Sequence, residues 1–118
     1  MDLTVEHLPD GIKVIKLSGR MDITGTDQIS VRLSGETSTE KAFVILDLQE
    51  VAFLASVGIG ALVRSAKALR LRGGEAVILS TVPMVTLVLE KTRIFEVMSI
   101  CGDMESARRA LSPRMQAS

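Results

Sequence analysis

The feature that most constrains this chain is the run Ala42-Phe43-Val44-Ile45-Leu46-Asp47-Leu48, six apolar residues interrupted by one aspartate. It is too short for a helix of ordinary length and lacks the alternation of a strand with one wet face. Such a run fits a strand covered on both faces. A second one follows at Glu75 to Leu79. Between them, Ile59, Leu62, Val63, Ala66 and Leu69 recur at helical spacing, with Arg64, Lys67 and Arg70 on the other side, and Gly73-Gly74 closes the segment. Strand, helix, strand with both strands buried implies a parallel crossover, and therefore an α/β domain.

The flanking segments extend this pattern. Residues 3–18 read as a hairpin: Leu3 to His7 alternates, Pro9-Asp10-Gly11 supplies turn chemistry, and Ile12 to Leu17 returns. Ser18 to Asp22 reads as a loop. Thr24 with Asp27 three residues on marks a helix start, followed by Ile29 and Leu33 one turn apart. Ser80-Thr81-Val82-Pro83 reads as a cap leading into a helix from Met84 to Glu90, with Met84, Val85 and Val88 as core. The apolar segment Phe95 to Ile100 gives the last strand. Asp103 caps a final helix through Leu111, which Pro113 is expected to stop. The expected order is β-β-α-β-α-β-α-β-α: a mostly parallel mixed sheet of four to five strands with an N-terminal antiparallel edge, covered by about four helices. One domain is expected over residues 1–112, with 113–118 a disordered tail.

Composition narrows the function classes. With 14 basic and 14 acidic residues the chain is neutral, so nucleic acid and anionic membrane lose their electrostatic basis as partners. Three Phe with no Trp or Tyr leave little for stacking on bases or sugars. The single Cys101 excludes an internal disulfide and a multi-cysteine metal site, and suits a reducing compartment. No apolar run approaches a membrane span, and the N-terminus lacks the pattern of a signal peptide. A cytoplasmic, soluble domain without cofactor or metal is the resulting expectation.

Catalytic constellations are weak. His7, the sole histidine, reads as a partly exposed strand residue, and Cys101 as a small core hydrophobe. Nothing resembles a nucleophile elbow. Gly58-Ile59-Gly60 lies between strand and helix, but Val63 occupies the third glycine position of a dinucleotide fingerprint, and no phosphate-loop Lys-Ser or Lys-Thr pair follows. Small residues that let a helix start close to a sheet explain these glycines better. The chain is therefore not expected to be an enzyme. What remains is Ser56, a hydroxyl at a strand-to-helix junction, where negative charge is tolerated. It is either an ordinary cap or a place to write and erase a phosphate.

In the order Leu17-Ser18-Gly19-Arg20-Met21-Asp22, then Val44 to Leu48, then Phe53-Leu54-Ala55-Ser56-Val57-Gly58-Ile59-Gly60, and Leu71-Arg72-Gly73-Gly74, the chain resembles STAS domains, in particular bacterial anti-sigma factor antagonists. The resemblance covers nearly the whole chain. In that family the loop before the second helix reads Asp-Ser-Ser-Gly or Asp-Ser-Thr-Gly. Its first hydroxyl residue is phosphorylated by the partner, an anti-sigma factor with serine kinase activity. The unmodified antagonist sequesters that kinase, phosphate breaks the complex, and a phosphatase restores it. The resemblance therefore implies phosphorylation at Ser56 and a partner-binding surface of Asp22, Ala55, Ser56, Val57, Gly58 and Arg64. Ala55 stands where the family has Asp, and Val57 where it has the second hydroxyl. The alternative is a non-switching STAS subunit, a stress-signalling scaffold or the cytoplasmic partner of a transporter ATPase. A monomer is expected in either case.

Overall fold

The computed structural model describes residues 1–117. Five strands form one sheet in sequential order: β1 (Asp2–His7), β2 (Ile12–Met21), β3 (Phe43–Leu54), β4 (Glu75–Leu79) and β5 (Ile100–Cys101). β1 pairs antiparallel with β2, and every other pairing is parallel. The crossovers are α1 (Ile23–Thr37), α2 (Ser56–Leu71) and α3 (Pro83–Lys91) with a 3-10 turn (Ile94–Glu96), and α4 (Met104–Gln116) closes the chain.

Alternation along β3 explains the apolar run. Val44, Leu46 and Leu48 point into a core shared with Ile29 and Leu33 of α1, Leu62, Ala66 and Leu69 of α2, and Val85 and Leu89 of α3. Phe43 and Ile45 point to the opposite face, where they join Val14, Val77, Leu79, and Ala107 and Leu111 of α4. Three helices thus cover one face and one helix covers the other. Cys101 is buried in this second core, and burial raises its thiol pKa, with Asp103 adding to the effect.

Several boundaries differ from expectation. Ser18 to Met21 is strand rather than loop, because β3 continues to Leu54 and pairs with it, Gly19 opposite Val51 and Met21 opposite Leu54. The glycine that suggested a loop sits at a register irregularity with φ +111°, a bulge within the ladder. α1 starts two residues before the anticipated Thr24 cap: Asp22 is its N-cap and accepts from the Gly25 amide at 2.8 Å. The last strand shrinks to Ile100–Cys101, since the Val97 and Met98 amides bond back to the Ile94 carbonyl and curl Phe95 into the 3-10 turn. Met84 is 71% exposed rather than core; Val85 and Leu89 are the buried positions of α3.

The tail also needs correction. α4 does not stop before Pro113 but runs to Gln116, with Pro113 inside it. A proline in the last turn forfeits one backbone hydrogen bond and leaves the following turn free to form. Met115 packs against the second core and holds that turn down, so 113–116 is helix. Ser118 lies outside the described residues.

Candidate functional site

β2 and β3 run parallel and end side by side. Met21 faces Leu54 in the ladder, and the Ala55 amide donates to the Met21 carbonyl at 3.0 Å. The residues that follow, Asp22 and Ala55, are the N-caps of α1 and α2. Two helix N-termini, each a locus of partial positive charge, therefore lie together at the carboxyl end of the parallel strands.

The two starts are built differently. Asp22 closes α1 through its carboxylate, and this bond to the Gly25 amide, aided by Arg20, holds the carboxyl pKa below its usual value. Arg20 is an ion-pair partner of Asp22 at 3.5 Å and also lies over the Phe53 ring at 4.4 Å. Ala55 caps α2 with backbone only: its carbonyl accepts from the Gly58 and Ile59 amides at 3.0 and 3.1 Å, and no side chain caps the helix. Ser56 is thus the first helical residue rather than the cap, and it is exposed.

Gly58 and Gly60 have separate reasons. A Cβ on Gly58 would stand 2.6 Å from Met21 Cγ and 3.1 Å from the Met21 carbonyl, so only glycine lets α2 start this close to the sheet. A Cβ on Gly60 would meet only the Arg64 guanidinium, at 3.2 Å. The close-packing reading of these glycines holds for Gly58 and not for Gly60.

The structure brings Val57 and Arg64 together on a depression of about 390 Å³ between α1 and α2, with Ile23, Thr26, Asp27 and Ser30 on its other wall. Arg64 and Ser30 also border a neighbouring groove of about 440 Å³ further along the helices. The Thr26 hydroxyl is the only buried side-chain oxygen or nitrogen without a hydrogen-bond partner among the described residues. Asp22 and Ser56 border the same carboxyl end of the sheet, whereas Gly58 is buried and contributes shape.

Sequence reasoning named Val57 at this site and missed the exposed apolar residues near it, Ile23 and Phe53. Ile23 is 76% exposed, Phe53 41% and Val57 38%, all at or beside the two helix starts. A signal for Phe53 was present, since it adjoins buried Leu54 in a strand and so must face away from it. Ile23 falls off the Ile29–Leu33 stripe for the same kind of reason. Elsewhere, His7 is exposed on β1, and no group of three or more His, Cys, Asp or Glu side chains fit to hold a metal occurs among the described residues. Among those residues no helix is long and apolar enough to cross a membrane.

A sequentially ordered five-stranded sheet with an antiparallel leading hairpin, helices on both faces and an exposed serine opening α2 defines a class of small α/β domain. The chain belongs to the STAS domain family, whose model matches residues 5–107. It is 24% identical over 101 residues to a Paenibacillus polymyxa protein named anti-sigma F factor antagonist, covering 85% of this chain and 86% of that one. The crystal structure of an anti-sigma factor antagonist from Mycobacterium paratuberculosis superposes with a TM-score of 0.84 at 21% identity, covering 94% and 93% of the two chains. The phosphorylated form of the Bacillus cell fate determinant SpoIIAA superposes with a TM-score of 0.64 at 19% identity, covering 92% and 98%.

Proposed function

We propose that this protein is an anti-sigma factor antagonist that binds an anti-sigma factor with serine kinase activity and is switched off by phosphorylation of Ser56. The observation that carries the reading is the position of Ser56: exposed, first in α2, at a helix start without a side-chain cap, and followed by exposed Val57, which lines a depression with Ile23. The protein supplies the acceptor and the docking surface and no catalysis of its own. The Ser56 hydroxyl oxygen attacks the γ-phosphorus of ATP on the partner, ADP leaves, and the hydroxyl proton passes to a base of the kinase. A phosphatase reverses the state by hydrolysis. All of this takes place in the cytoplasm.

The output is loss of binding rather than loss of fold. Phosphate adds about −1.5 to −2 charges next to the exposed apolar side chain of Val57, where desolvation in an interface is costly. The amides of α2 favour an anion in the same place, so the domain itself tolerates it. That a phosphorylated relative keeps the same fold supports this division.

Ala55 favours a second reading. Without a carboxylate beside the serine, the chain also suits a non-switching STAS subunit, a scaffold or the cytoplasmic partner of a transporter ATPase. Binding to a histidine-kinase-like anti-sigma factor from the same organism separates the two. Wild type and Ser56→Ala are expected to bind alike, and Ser56→Asp at least about tenfold more weakly, a difference of ~1.4 kcal/mol. Equal binding by all three, or no binding by any, contradicts the switch.

A further inference from the structure

Ser56, Gly60 and Arg64 are spaced four residues apart on α2 and therefore lie in one row along the helix, about 5–6 Å between successive Cβ positions. Long helical side chains lean toward the N-terminus. Arg64 does so, and its Nη1 rests 3.2 Å from where a Gly60 Cβ would be, directly in the row that leads to Ser56. Because Gly60 has no side chain, nothing in that row separates the guanidinium from the serine one turn further on.

Arg64 is also uncommitted. Among the described residues it makes no ion pair or hydrogen bond. The other cation at this edge, Arg20, is held by Asp22 and stacked on Phe53. Of the nearby carboxylates, Asp22 is engaged by the Gly25 amide and Arg20, while Asp27 shares the depression with Arg64 and is exposed. With Ala55 in place of an acidic cap, no carboxylate stands at the start of α2 itself.

The geometry points to Arg64 as the intramolecular counter-ion of a Ser56 phosphate, a positioning residue that reaches back across Gly60 to hold the dianion against the start of α2. This rests on the reading of Ser56 as a phospho-acceptor. An arginine fork matches phosphate oxygens and favours their fully ionised state. Arg64 thereby stabilises the phosphorylated form and holds the phosphate along α2, beside Val57. The substitution that removes the acidic cap and the glycine that clears the row act on the same state: both leave the phosphate to α2 and Arg64.

The test needs no kinase, so its failure is separate from failure of the switch. Phosphoserine is installed at position 56 of the full chain by amber-codon suppression, and its second ionisation is followed by phosphorus NMR. Arg64→Gln is expected to raise the titration midpoint by about half a pH unit, the size of an exposed ion pair. Gly60→Ala, which pushes the guanidinium aside without disturbing the helix, raises it by less, and Arg20→Gln leaves it in place. A midpoint in Arg64→Gln equal to that of the parent overturns the assignment. So does a shift in Arg20→Gln as large as that in Arg64→Gln.

Discussion

α1 and α2 begin a few ångströms apart, on neighbouring strands that end together, yet one start is finished and the other is left open. α1 has a carboxylate cap, Asp22, itself braced by Arg20. α2 has an alanine whose backbone alone turns the chain, followed at once by an exposed serine. The first arrangement spends its polar groups on structure. The second leaves the amides of α2 and the Arg64 guanidinium for an added anion. Adjacent helix ends are thus finished differently: a carboxylate closes α1, and no side chain closes α2. On the proposed reading of Ser56, the first end serves stability and the second regulation.

The sharpest way to break the arrangement is Gly58→Ala. Its Cβ would overlap Met21 Cγ and crowd Leu54 Cδ1, both in the core, so α2 must lift off the sheet edge. A loss of about 1–3 kcal/mol in urea unfolding is expected. Ala55→Asp tests the open end itself. With Ala55 in extended conformation, φ −99° and ψ 169°, an aspartate there is placed to cap α2 and should stabilise the protein by about 1 kcal/mol. A melting temperature unchanged by Ala55→Asp contradicts the view that this end lacks only an acceptor.

A smaller gain is expected at Gly60, whose Cβ would meet only the flexible end of Arg64. Gly60→Ala should raise stability by about 0.5–1 kcal/mol in the same unfolding experiment, opposite in sign to Gly58→Ala. The smallest effect concerns pH. The Asp22 pKa is lowered in the folded state, chiefly by the Gly25 amide, so its contribution is fully present above the ordinary carboxylate pKa and is lost as pH falls through the lower folded value. Asp22→Asn should therefore melt earlier than wild type at neutral pH and approach it in acid, in thermal scans at a series of pH values. Parallel curves for the two proteins would contradict this role for Asp22.

The buried strands were legible because alternation with helices leaves one arrangement for two apolar runs, and the Asp103 cap was legible because an Asp before a helical pattern has one common use. What escaped was set by neighbours distant in sequence. Gly19 reads as a loop residue until β3 is known to extend beside it, and Pro113 reads as a stop until Met115 is seen to pack on the second core. At the site, Ser56 was visible as a junction hydroxyl, but Ile23 and Phe53 come to the same end of the sheet only because β2 and β3 end in register. The row from Ser56 to Arg64 was written in the spacing all along; only the conformation of Arg64 over Gly60 gives it meaning.

On the proposed reading, the open start of α2 takes a phosphate on Ser56. Incubating the protein with its kinase-type anti-sigma factor and ATP, then locating added phosphate by mass spectrometry, tests it directly. One phosphate is expected, on Ser56, with none on Ser56→Ala. An unmodified wild-type chain, or phosphate on another residue with Ser56 untouched, would contradict it.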